Sequence, residues 1–99
     1  MTAMLGVSQE QLEEFCLRHQ IRQLALFGSV LRDDFRSDSD VDVLVDFLPE
    51  AKIGFFKLAS IQRELSRLVG RTVDLRTPKD LSPYFRGDVL RTAVTLYAA

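Results

Sequence analysis

One cysteine and no long apolar run are the scarcities that narrow this sequence first. Cys16 alone cannot close an internal disulfide, and without a CxxC pair or a Cys/His cluster no zinc site is expected. No stretch approaches the roughly 18 apolar residues needed to span a bilayer. The opening Met1-Thr2-Ala3-Met4 has neither the basic start nor the apolar core of a secretion signal, so a cytoplasmic protein with no membrane partner is expected. A surplus of positive charge is missing too: 13 Lys and Arg against 14 Asp and Glu leave a net charge of −1. That balance argues against a bulk electrostatic grip on nucleic acid, and no direct DNA binding is expected. Repeats, low-complexity stretches and linkers are absent, and 99 residues leave room for a single domain, 1–99, without a separate substrate-binding domain.

What the sequence does have is clear periodicity. Ser8 and Gln11 form a capping-box pattern ahead of Leu12, Phe15 and Cys16, which predicts a helix over residues 9–19. Leu24-Ala25-Leu26-Phe27 reads as a buried strand running into a turn at Gly28. One helical turn after Ser29 and then a polar loop to Ser39 follow. Val41, Val43 and Val45 alternate with Asp40, Asp42, Leu44 and Asp46, a period of two that buries the valines and turns the acids outward. Pro49 closes that strand. Phe55, Leu58, Ile61, Leu65 and Leu68 then recur at helical spacing up to Gly70, a C-cap signal. Thr72-Val73-Asp74-Leu75 has strand composition, and Ser82-Pro83 opens a last helix whose face is Leu81, Phe85, Val89, Ala93 and Leu96. The sum is an α/β domain with a small mixed β-sheet flanked by about four helices.

The chemistry lies in two short segments. Gly28-Ser29 after a strand makes a turn that lets backbone amides approach phosphate, with Arg32 one turn further on to reach a triphosphate or brace the loop. Asp40 and Asp42, at i and i+2 on a strand, project from one face with Cβ atoms roughly 6 to 7 Å apart, a span suited to Mg²⁺ and its hard oxygen ligands. Without a cation those carboxylates repel one another. A pair of metals on such a mount stabilises the attacking and leaving oxygens of nucleotidyl transfer, and Asp74 on the next strand is the natural third acid. Asp38-Ser39-Asp40 also begins like a calcium loop, but the sixth position is not glycine and the twelfth is Pro49.

Gly28-Ser29-Val30-Leu31-Arg32 followed by Ser39-Asp40-Val41-Asp42-Val43-Leu44-Val45 resembles the signature of the DNA polymerase beta superfamily of nucleotidyltransferases, in its minimal nucleotidyltransferase (MNT) branch. Thr72-Val73-Asp74-Leu75 is similar to the segment bearing that family's third acid, and Val89 to Val94 with a following tyrosine to its C-terminal helix. The resemblance implies the nucleotidyltransferase fold, with Asp40, Asp42 and Asp74 as catalytic, metal-ligating residues and Gly28, Ser29, Arg32 and Ser39 at the nucleotide. It implies Mg²⁺ as cofactor and ATP as donor. It further implies an antitoxin encoded beside a HEPN-domain toxin, in hetero-oligomeric complex with it, that transfers AMP to one of its tyrosines. One position departs from the pattern: Asp33 stands where the family commonly has glycine, adding negative charge near the phosphate turn. Two other readings are a catalytically idle antitoxin acting by contact, and transfer to a small molecule or an RNA end.

The remaining residues have plainer readings. Cys16 is expected in the core and His19 against the C-terminal carbonyls of its own helix. Phe56 is expected at the surface, and Tyr84 and Tyr97 packed in the last helix.

Overall fold

A computed structural model describes residues 6–31 and 40–99, with the side chains of Ser29, Val30 and Phe85 also outside the description. The order is α1 (Gln9–Arg18), β1 (Ile21–Phe27), a 3₁₀ turn (Gly28–Leu31), β2 (Val41–Phe47), α2 (Phe55–Val69), β3 (Val73–Arg76), a second 3₁₀ turn (Pro78–Asp80), α3 (Pro83–Thr92) and β4 (Val94–Ala98). The strands form one mixed sheet in the order β3-β2-β1-β4, with β1 antiparallel to β2 and β4, and β2 parallel to β3. The α/β class therefore stands, with three α-helices and two 3₁₀ turns among the described residues in place of about four helices.

Local chemistry sets the helix ends. The Ser8 hydroxyl accepts from the Gln11 amide at 3.1 Å while the Ser8 amide donates to Gln11 Oε1 at 3.0 Å, the reciprocal cap expected from sequence. Gly70 ends α2 at φ 72°, a left-handed conformation that glycine takes without a Cβ penalty. None of the helices described is long and apolar enough to cross a membrane.

The core lies on one face of the sheet. Leu24 and Leu26 of β1, all three valines of β2, Val73 and Leu75 of β3 and Leu96 of β4 pack there against Leu12, Phe15 and Cys16 of α1 and Ile61, Leu65 and Val69 of α2. Burial pushes the Cys16 thiol up to about 12, with Glu13 adding to the shift, so it stays protonated as a core residue should. The outer edge of β3 is also covered. Its Val73 and Leu75 amides donate to Ser66 Oγ (3.0 Å) and Gln62 Oε1 (2.8 Å), so two polar side chains of α2 take the place of a further strand.

Four expectations are corrected. The last helix stops at Thr92, and residues 94–98 pair with β1 as a strand. The other edge of β1 would otherwise present unpaired amides and carbonyls, and Val94-Thr95-Leu96-Tyr97 is β-branched and aromatic, which suits a pleated surface. Between Leu24↔Tyr97 and Ala25↔Thr95 the register slips, making Leu96 the extra residue of a bulge and sending it into the core rather than onto a helix face. Phe55 does not join the apolar face of α2: it is exposed, as Phe56 is, and the two rings meet edge to face with centroids 5.7 Å apart. His19 caps α1 through its backbone, while its nearly buried ring bonds Glu64 Oε2 of α2 at 3.0 Å instead of the helix carbonyls. Tyr84 is exposed, and Tyr97 belongs to β4 rather than to a helix.

Candidate active site

The second face of the sheet carries the polar groups. Alternation puts Asp42, Leu44 and Asp46 of β2 and Asp74 and Arg76 of β3 there, opposite the core valines. Because β2 and β3 are parallel and in register, Asp42 pairs directly with Asp74 across the sheet, at the roughly 4.8 Å spacing of neighbouring strands. On the other side Asp42 faces Phe27, the last residue of β1, so the chain enters the Gly28 turn beside the Asp42 carboxylate. Asp40 is exposed and sits one residue before β2 begins. Gly28, Asp42 and Asp74 thus come together at one end of the sheet, where β1 stops and β2 and β3 start.

Gly28 is required there twice over. Its φ is +75°, and a Cβ placed on it would lie 3.1 Å from Asp42 Cγ and closer still to Oδ2. A side chain would need a strained backbone and would push the carboxylate away. The turn is therefore fitted to Asp42, and the two halves of the sequence motif are in contact. Ser29 lies in the 3₁₀ turn that begins at Gly28, while its side chain, like Arg32, Ser39 and the departing Asp33, lies outside the described residues.

The acids on this face are distinguished by their partners. Asp46 is paired with Arg22 of β1. Asp74 is gripped at both oxygens by Arg76: Nε donates to Oδ1 at 3.1 Å and Nη2 to Oδ2 at 3.2 Å. The hydrogen bond and charge of Asp74 hold the Arg76 guanidinium above its ordinary value, Asp80 and Asp42 adding to this. The sequence put Asp74 on the next strand; pairing of β2 with β3 sets it opposite Asp42, and Arg76 is a neighbour that sequence reasoning missed, its i, i+2 spacing on a strand being the signal for the bidentate contact.

Two recesses border these residues. One of about 580 Å³ lies between the Gly28 turn and α3, lined by Phe27, Gly28, Leu31, Val89, Thr92 and Val94 among others, within the range of nucleotide-sized sites. The other, of about 300 Å³, runs between α2 and β3 and includes Phe55, Leu58, Asp74, Arg76 and Asp80. Among the described residues no three acidic, histidine or cysteine side chains gather around one point as a ready metal cage. The donors nevertheless suit a hard divalent cation, being carboxylates adjacent on one face.

A strand-borne pair of carboxylates fitted against a glycine turn defines a class, and comparison agrees with it. The chain belongs to the nucleotidyltransferase domain family, whose model matches residues 8–95, and it is a nucleotidyltransferase of the minimal type. A Thermococcus cleftensis protein named protein adenylyltransferase MntA is 34% identical over 92 residues, covering 93% of this chain and 88% of that protein. A solved minimal nucleotidyltransferase is 35% identical with a TM-score of 0.70, covering 87% of this chain and 86% of that one. The fold is also that of a chain in the complex of tri-AMPylated Shewanella oneidensis HEPN toxin with MNT antitoxin, at 16% identity and a TM-score of 0.68, over all of this chain and 74% of that one.

Proposed function

We propose that this nucleotidyltransferase moves AMP from ATP to a tyrosine of a HEPN-domain toxin and thereby acts as its antitoxin. The observation that carries the reading is the contact of the Gly28 turn with Asp42, itself side by side with Asp74. The protein adenylyltransferase name of the Thermococcus relative and the AMPylated toxin in the Shewanella complex support the choice of nucleotide and partner.

In this reading the glycine turn receives the β- and γ-phosphates, with the Gly28 and Ser29 backbone amides, Arg32 and Ser39 as their donors. The recess between that turn and α3 takes the nucleoside, so the α-phosphorus comes to rest over Asp42. Asp40, Asp42 and Asp74 would hold Mg²⁺, which supplies positive charge to the attacking and leaving oxygens. Asp74 takes the proton from the tyrosine hydroxyl as its oxygen bonds to the α-phosphorus; the bond from that phosphorus to the β-bridging oxygen breaks and pyrophosphate leaves.

The test is incubation of toxin, radiolabelled ATP and MgCl₂ with wild type and Asp42→Asn. Label on toxin tyrosine is expected with wild type and a loss of at least about 100-fold with the variant, since both positioning and charge stabilisation are removed. Equal labelling sinks the proposal. The rival, an antitoxin that works by contact alone, takes its support from Arg76 covering Asp74. It requires an Asp40→Asn, Asp42→Asn double variant to go on protecting cells, whereas the catalytic reading requires protection to fail while the complex still forms.

A further inference from the structure

We propose that Arg76 is a positioning residue that stands in for the divalent cation: it holds Asp74 in the cation-free protein and must release it when the cation binds. The inference rests on the reading of Asp74 as a metal ligand. Asp42 and Asp74 are direct partners on neighbouring strands, an arrangement in which like charges repel. Arg76, two residues along β3 from Asp74, lies on that same face and spans both Asp74 oxygens. Asp80 lines the same recess as Asp74 and Arg76. One guanidinium thus offsets a cluster of carboxylates that a bound cation would otherwise neutralise.

The grip is also one that can be released. Both side chains are well exposed, Arg76 at 48% and Asp74 at 39%, so water competes for the pair and the contact is weak despite its two hydrogen bonds. Arg76 has somewhere to go. It lines the open recess between α2 and β3, and Asp80, whose Oδ2 caps Thr77, stands in the same recess wall. Moving from Asp74 towards Asp80 keeps the guanidinium beside a carboxylate while leaving both Asp74 oxygens to a cation. Binding of the cation and departure of Arg76 then form one exchange, and the apparent affinity for the cation is reduced by the cost of breaking the pair.

Calorimetric titration of the full chain with Mn²⁺ alone, without nucleotide, reads this directly. Arg76→Gln should bind Mn²⁺ about two- to fivefold more tightly than wild type, the size expected for loss of an exposed competing pair. Arg76→Lys, with a single point of contact, should fall between them. Arg22→Gln is the control for a general field effect, since it removes a cation from an acid on the same face, Asp46. Equal tightening by Arg22→Gln, or none by Arg76→Gln, overturns the proposal. Asp74→Asn separates it from the reading beneath it. If Asp74→Asn weakens Mn²⁺ binding while Arg76→Gln leaves it unchanged, Asp74 remains a ligand and the role of Arg76 alone falls. If Asp74→Asn binds Mn²⁺ as wild type does, both fall. The double variant Asp74→Asn, Arg76→Gln should show none of the gain seen with Arg76→Gln.

Discussion

The two faces of the sheet share their strands and almost nothing else. On one, Leu24, Leu26, Val41, Val43, Val45, Val73 and Leu75 are buried against α1 and α2. On the other, Asp42, Asp46, Asp74 and Arg76 stay partly open to solvent, and α3, which covers part of that side, has no fully buried residue among those whose side chains are described. Arg86 does much to hold α3 in place, donating from Nε to the Pro78 carbonyl (2.9 Å) and from Nη2 to the Leu81 carbonyl (3.1 Å). Stability and chemistry are therefore separable here, because a strand turns successive residues to opposite sides. A small domain with one core can carry an electrostatically unfavourable site provided the site is not part of that core.

Substitutions on the two faces should separate accordingly. The largest effect on folding is expected at Leu65, which is 2% exposed between α2 and the sheet. Leu65→Ala should lower the unfolding free energy by about 2–5 kcal/mol, measured by urea denaturation. Asp42→Asn, which cuts transfer at least about 100-fold in the proposed function, should move the urea midpoint far less than Leu65→Ala does, because Asp42 lies on the half-open face and outside the core. A midpoint lowered as far as by Leu65→Ala would break the comparison.

Gly28 is where the faces are expected to meet. Gly28→Ala should cost about 1–3 kcal/mol through its positive φ and the crowding of Asp42, and reduce toxin labelling at least about tenfold even where the protein is fully folded. Labelling equal to wild type would show that the fit between turn and carboxylate has no part in transfer.

The smallest effect concerns the link between α1 and α2. Burial alone would raise the Glu64 carboxyl, but the hydrogen bonds and charges of His19 and Arg18 outweigh it and hold the group below the ordinary carboxylate range. A depressed folded-state value means that stability is present above the unfolded carboxylate value of about 4.3 and is lost as pH falls through the folded one. Glu64→Gln should lower the thermal midpoint slightly at pH 6, and that difference should shrink steadily as pH falls from about 4.3 downward. A difference that stays constant as the pH is lowered would show that packing, and not the charge, is what Glu64 contributes.

Much of this was legible in the residues because the signals are short-ranged. The Ser8 and Gln11 cap, the Gly70 helix end and the alternation along β2 each depend on neighbours within four residues. Helical spacing misled at Phe55, where an apolar residue in the first turn of α2 stays exposed instead of joining the core. It misled again at Leu96, which continues the spacing of α3 by number although its segment completes the edge of β1. Neither outcome is encoded locally, since each depends on what lies across the chain in space.

By itself, then, the sequence determined that Asp40 and Asp42 lie two residues apart at a strand's start and that a glycine turn precedes them, because strand period and turn chemistry are properties of adjacent residues. Only the tertiary structure decided that Gly28 is fitted against Asp42, that Asp74 stands opposite it and that residues 94–98 leave the helix for the sheet. Those outcomes rest on strand register and on backbone groups that have to be satisfied at a sheet edge, and both are settled only when distant segments pair.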